Sequence, residues 1–285
     1  MKNKENESMV KFRNLFSSNK DIIVENWLSV SSLRDMKTLA PNLYSEYLKK
    51  PDDLKELVGQ FFIATNAHRI QEIGLILEAC DYPLWKHYME IGVGWGVTCS
   101  SMAGLIFSRE DKRECSLTTV DFKGSRIAGK KISNARQINI NSIISENQYS
   151  QWSHSDVGSD IFFKTLEQTS PKKKSAGIDV VFIDGDHSFK QTKRDWENVS
   201  KHLSESGIVF MHDLKWRTQK LNYPNVALRA FELIPGDKWD RYILDTPYRL
   251  GVVHRKSAGS TKEWLEEKIK HLNIKIRPWD RRKDK

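Results

Sequence analysis

After Pro83 the chain changes rhythm: apolar stretches of four to six residues alternate with segments long enough to be helices. In order these are "HYMEIG", residues 97–107, "SLTTVDF", a long mixed stretch reaching Gln168, "IDVVFIDG", residues 188–203 and "GIVFMHD". Runs this apolar predict strands covered on both faces, and the alternation is that of right-handed βαβ units in a parallel, doubly wound α/β sheet. The helix over 188–203 is the best supported. Ser188 can cap it, and Phe189, Trp196, Val199 and Leu203 form one apolar stripe. Further on, Asn225 caps "VALRAFELI", which stops at Pro235 and Gly236. The stretch "WDRYILDTPYRLGVVHRK" reads as two strands joined by an Asp-Thr-Pro turn, so the sheet ends in an antiparallel hairpin.

Upstream the pattern differs. Residues 1–40 show no firm periodicity, whereas 43–80 are helical in pattern, broken at Pro51, with Ile70, Ile73, Ile76 and Leu77 on one face. The expected organisation is a leader and helical extension over 1–80, a single α/β domain over 81–256 and a basic helical tail over 257–285, without internal repeats. The longest apolar runs are strand-sized, so no membrane span is expected, and the first fifteen residues lack the apolar core of a secretory signal. A cytoplasmic location follows as the default. Cys80, Cys99 and Cys115 form neither an even framework nor a ligand spacing and are read as reduced thiols. The net charge of +9 raises the question of nucleic acid, but much of the excess lies in "PKKK" and the terminal "RPWDRRKDK". Those read as a solvated loop and a loose end, which disfavours a nucleic-acid role.

In an open α/β sheet, ligands bind beyond the carboxyl ends of the strands. At the first such end the chain reads "YMEIGVGWGVTCSSMAG", a glycine-rich turn between a strand and a helix, where bare backbone and a helix N-terminus can approach a ligand. Gly92, Gly94 and Gly96 are spaced G-x-G-x-G, not the G-x-G-x-x-G of a dinucleotide fingerprint, which disfavours a dehydrogenase. Asp121 ends the second strand, where a carboxylate can accept hydrogen bonds from vicinal ribose hydroxyls. Glu90, the glycine turn and Asp121 together resemble the cofactor site of class I S-adenosylmethionine-dependent methyltransferases. The resemblance implies a mostly parallel, seven-stranded Rossmann-like sheet. It also implies that Gly92, Gly94 and Gly96 approach the methionine moiety, that Glu90 lies beneath the turn, that Asp121 binds the ribose, and that Asp156 lies near the adenine.

The segment "IDVVFIDGDHSFKQTKRDWENVSKHLSESGIVFMHDL" is similar to a narrower group, small-molecule O-methyltransferases of natural-product sugars together with cephalosporin-hydroxylase-like proteins, over roughly residues 71–253. That similarity implies a divalent cation held by Asp184, His212 and Asp213. His212 stands where an acid is more usual: the imidazole weakens the fit to Mg²⁺ and leaves Mn²⁺, another transition metal, or no metal. Methyl transfer to oxygen needs a base on the acceptor hydroxyl, and a histidine changes protonation near neutrality. His187 holds the position that the similar sugar methyltransferases use for this base; a structural histidine capping the next helix is the alternative. Asp186 either orients His187 or joins the metal shell.

The expected function is thus an S-adenosylmethionine-dependent O-methyltransferase acting on a hydroxyl of a sugar or natural product, assisted by Mg²⁺ or Mn²⁺. The rival readings are a non-methylating relative on the same fold and a nucleic-acid methyltransferase. "DTPY" superficially resembles the Asn/Asp-Pro-Pro-Tyr box of the latter, but it falls in the terminal hairpin and reads as a turn. Trp95, Trp216 and Tyr223 are candidates to wall the acceptor pocket, though aromatic residues of this kind more often serve the core. The sequence leaves a homo-oligomer open.

Overall fold

The structure, a computed structural model, describes residues 70–93, 98–99, 102–103, 106, 114–122, 126–127, 130–131, 152–169, 177–214, 226–246 and 249–278. Eight strands form one sheet: β1 (His87–Ile91), β2 (Ser116–Val120), β3 (Trp152–Ser155), β4 (Ile178–Ile183), β5 (Leu203–Met211), β6 (Trp239–Leu244), β7 (Gly251–Arg255) and β8 (Ile276–Pro278). Their order is β8-β6-β7-β5-β4-β1-β2-β3. Strands β1 to β5 are parallel. In the β6–β7 hairpin β7 pairs antiparallel with β5 on one side and β6 on the other, and β8 adds an antiparallel edge to β6. This is the doubly wound, Rossmann-like sheet with a terminal hairpin that the alternation implied, and strand order reverses between β1 and β4. A separate two-stranded ribbon pairs Arg126–Ile127 with Lys130–Lys131.

Neighbouring residues along each central strand go to opposite cores, as burial on both faces requires. Tyr88, Val180, Phe182, Ile208 and Phe210 pack into one cluster, with helices α1 (Ile70–Asp81) and α5 (Gly259–His271). Met89, Val181, Ile183, Val209 and Met211 pack into the other, with α2 (Ser159–Thr169), α3 (Phe189–His202) and α4 (Val226–Glu232). Helix α3 starts as expected, with the Ser188 hydroxyl accepting from the Gln191 N–H at 3.3 Å, and Trp196 and Val199 are buried. It stops at His202, and Leu203 begins β5, four residues before the apolar run that marks the strand.

Residues 257–278 are more than a helical tail. Trp264, Leu265 and Ile269 of α5 lie in the core, Trp264 meets Trp85 edge to face at 4.8 Å, and β8 extends the sheet beyond the seven strands expected. Each such buried side chain stabilises the domain by about 1.5–3 kcal/mol, so 257–278 is part of the fold. Cys80, Cys99 and Cys115 are buried and in no disulfide. Among the described residues no helix is long and apolar enough to cross a membrane. Asn225, Pro51 and the leader lie outside the described residues.

Candidate active site

The strand register lays out the site. Ile91 pairs with Val120 and Ile183, Val120 with Ser155, and Ile183 with Met211. The next residue on each strand is therefore level with the others: Asp156, Asp121, Gly92, Asp184 and His212 form one row along the carboxyl edge. Backbone hydrogen bonds carry the row past the strands. The Asp121 N–H donates to Ser155 O at 3.1 Å, Gly92 to Val120 O at 2.9 Å, Asp184 to Ile91 O at 2.8 Å and His212 to Ile183 O at 2.9 Å. Five residues chosen from sequence are brought together in this way, and Glu90 is buried on β1 two residues before Gly92.

Gly92 has φ of +86°, and a Cβ there would lie 2.3 Å from the Asp184 carbonyl oxygen and 2.4 Å from Gly185 Cα. Only glycine fits, because both the left-handed backbone and the touching β4 turn exclude a side chain. Beside it, the Asp121 carboxylate accepts from the Val93 N–H at 3.1 Å and the Phe122 N–H at 2.7 Å. Those two N–H groups orient the carboxylate beside Gly92 and Val93. Phe122, 63% exposed, offers an apolar face next to it and was not singled out in the sequence. At the end of β3, Asp156 is exposed and lies 3.3 Å from His154 Nε2. Gly94, Trp95, Gly96, Trp216 and Tyr223 lie outside the described residues.

On the other side of Gly92 the row becomes crowded with ionisable groups. Donor atoms of Asp184, His212 and Asp213 lie within 4.8 Å of one another. His212 is almost wholly buried; its Nδ1 is 3.0 Å from Asp184 Oδ1 and 3.5 Å from Asp213 Oδ1. Its Nε2 is 3.2 Å from Oε2 of Glu72, a fully buried carboxylate on α1. The other Glu72 oxygen accepts from the Thr246 hydroxyl, which in turn accepts from the Leu250 N–H at 3.2 Å. Burial alone would push His212 down, but Asp184, Glu72 and Asp213 outweigh it and raise its pKa well above the ordinary imidazole value. Burial raises Glu72, against the pull of His212 and Thr246. It raises Asp213 too, opposed by His212 and His187. Asp213 adopts a left-handed backbone, φ 58°, that a non-glycine residue takes at some cost.

His187 stands at the mouth of this group, its Nε2 3.3 Å from Asp213 Oδ2 and 3.9 Å from Asp184 Oδ1, and its side chain is partly exposed. Asp186 bonds to the backbone of the turn that follows. Its Oδ1 accepts from the Ser188 N–H at 2.8 Å, shaping the turn into α3. A second buried acid, Asp195, lies beneath Gly185; its Oδ1 accepts from the Ser159 hydroxyl and from Gln191 Nε2 at 3.0 Å. Glu72, Thr246 and Asp195 have no local motif. Glu72 lies 140 residues from His212 and reads in sequence only as a polar position within an apolar helix.

Residues 89–214 match a family model described as a methyltransferase domain. A search of curated proteins found no significant match. Similar solved structures include the apo structure of CalS11, a TDP-rhamnose 3'-O-methyltransferase of calicheamicin biosynthesis: 16% identity, 79% of this chain and 96% of that one, TM-score 0.50. A second CalS11 structure, described as calicheamicin methyltransferase, is 15% identical over 79% of this chain and 94% of that one, with a TM-score of 0.51. An O-methyltransferase from Bacillus cereus in complex with SAH is 15% identical over 78% and 98%, with a TM-score of 0.49. At these identities the CalS11 structures speak for the fold.

Proposed function

We propose, from the match of residues 89–214 to a family model described as a methyltransferase domain, that this protein is an S-adenosylmethionine-dependent methyltransferase acting on a hydroxyl of a small molecule such as a sugar or natural product, with a divalent cation in the site. The observation that carries the reading is the single row along the carboxyl edge. It sets a cofactor half, Gly92, Asp121 and Asp156, directly against an acid–imidazole half, Asp184, His212, Asp213 and His187.

The cofactor half fits its ligand. Gly92 leaves backbone bare where a Cβ would collide, and Asp121 presents a carboxylate already oriented by two N–H groups. Asp121 would take the ribose hydroxyls, Phe122 and Asp156 would flank the adenine, and Glu90 would support the turn from beneath. The other half fits a cation: two carboxylates and an imidazole converge, a mixed set that suits Mn²⁺ or a later transition metal better than Mg²⁺. Asp184, His212 Nδ1 and Asp213 would hold it, and a bound cation would lower the pKa of the acceptor hydroxyl.

His187 would act as the base. Bound S-adenosylmethionine would supply an electrophilic methyl group whose carbon–sulfur bond breaks as the acceptor oxygen takes it, and His187 would take the hydroxyl proton. Asp213 at 3.3 Å and Asp184 at 3.9 Å stabilise the resulting imidazolium. His212 is a poor alternative base, because it is buried and both ring nitrogens already face carboxylates. The assignment to the cytoplasm is retained as part of this reading.

The test is to incubate the protein with methyl-labelled S-adenosylmethionine and extracts of its source cells, with and without EDTA. Label is expected in a small-molecule fraction, lost with EDTA and restored by Mn²⁺. Label confined to nucleic acid, or no transfer to any fraction, contradicts the proposal.

A further inference from the structure

We infer that Glu72 is a positioning residue for the metal site: it holds the proton on Nε2 of His212 and thereby turns the Nδ1 lone pair toward Asp184 and Asp213. The inference rests on the metal reading above and extends it to a helix that precedes the methyltransferase domain match.

The geometry is directional. An imidazole ring presents its two nitrogens on opposite sides, so fixing one partner aims the other. Nε2 meets Glu72 Oε2 at 3.2 Å and Nδ1 meets Asp184 Oδ1 at 3.0 Å; where a cation replaces the hydrogen on Nδ1, the one that remains on Nε2 would donate to Glu72. Nδ1 then points at Asp184 Oδ1, 3.0 Å away, and Asp213 Oδ1, 3.5 Å away, the two other donors of the candidate cation site. A metal-bound histidine whose remaining N–H donates to a carboxylate is oriented and made a better ligand by it.

Glu72 is itself held. Its second oxygen takes the Thr246 hydroxyl, and the residue is wholly inaccessible to solvent, as is α1 along Leu75 and Ile76. Thr246 is fixed in turn by the Leu250 N–H within the β6–β7 connection. A rigid chain of contacts therefore runs from the terminal hairpin through α1 to the β5 end. A buried acid so placed is costly unless paired, which a merely space-filling residue would not require.

The experiment titrates Mn²⁺ into the full chain, following free Mn²⁺ by electron paramagnetic resonance. Wild type is compared with Glu72→Gln and Thr246→Val, with S-adenosylhomocysteine affinity and melting temperature measured alongside. Glu72→Gln is expected to weaken Mn²⁺ binding by about 10–100-fold at nearly unchanged affinity for S-adenosylhomocysteine, and Thr246→Val to weaken it in the same direction by less. Equal Mn²⁺ affinity in wild type and Glu72→Gln would overturn the role of Glu72 while leaving the metal site in place. No Mn²⁺ binding by wild type would overturn the metal reading and this inference together. Should Glu72→Gln fail to fold, nitrogen-15 spectra of zinc-loaded wild type decide: Nε2 protonated with Nδ1 coordinated is expected, and coordination through Nε2 contradicts the inference.

Discussion

Two buried acid clusters flank the turn after β4, and they are partnered in opposite ways. Asp195 is met by a serine hydroxyl and a glutamine amide, neutral donors that have no other charge state to adopt. Asp184, Asp213 and Glu72 are met by imidazoles, whose nitrogens can exchange a proton for a metal or take one from a substrate. The first arrangement satisfies a buried carboxyl and locks α2 to α3. The second gathers several ionisable groups that desolvation disfavours, in a place where a fold with no ligand to hold gains nothing from them. Burial of an acid does not by itself mark a site; the chemistry of what faces it does.

The sharpest way to break this contrast is His187→Gln. The account expects kcat to fall by about 10²–10⁴ while S-adenosylhomocysteine affinity and melting temperature hold. A variant that melts early or loses cofactor binding would make His187 structural, like Gln191.

A weaker but cleaner effect belongs to Asp195. Its carboxyl is pushed from 3.8 up to about 6, by burial first and then by Asp160 and Asp186, against the Ser159 and Gln191 hydrogen bonds. Because the folded state favours the protonated form, this contribution is complete below the unfolded pKa and is lost as pH rises to about 6. Denaturant melts should show a stability loss on the order of 1–3 kcal/mol from this group between about pH 4 and pH 6.5 that Asp195→Asn lacks. Identical pH profiles for the two proteins would contradict the assignment. Of similar size is Asp121→Ala, expected to weaken S-adenosylmethionine by about 1–3 kcal/mol in calorimetry. Unchanged affinity in a folded variant would move the ribose site elsewhere.

Much of the sheet was legible because buried parallel strands are continuous apolar runs, and "IDVVFIDG" and "GIVFMHD" end where the row of polar strand-end residues begins. Asp121, Asp184, His187, His212 and Asp213 were singled out as candidates for that reason. The third strand, Trp152–Ser155, was lost in a mixed stretch because it borders the sheet and only Trp152 of its four residues is buried. Leu203–Met211 begins with Leu-Ser-Glu-Ser, four residues whose polar members hide the strand start. Strand β8 is three residues long and carries a proline, leaving no periodicity to read. Glu72 and Thr246 were out of reach for another reason: Glu72 meets His212, and Thr246 meets Glu72, only through tertiary packing, and nothing in the spacing of the three residues encodes it.

The central claim is that the row of strand ends is one site in which the methyl donor and a cation meet. Anomalous diffraction from crystals grown with S-adenosylhomocysteine and Mn²⁺ tests it most directly. The account predicts the nucleoside against Gly92 and Asp121, and one manganese peak bonded to Asp184, His212 Nδ1 and Asp213 at roughly 2.0–2.3 Å. Nucleoside in place with no manganese peak at those three residues would contradict it.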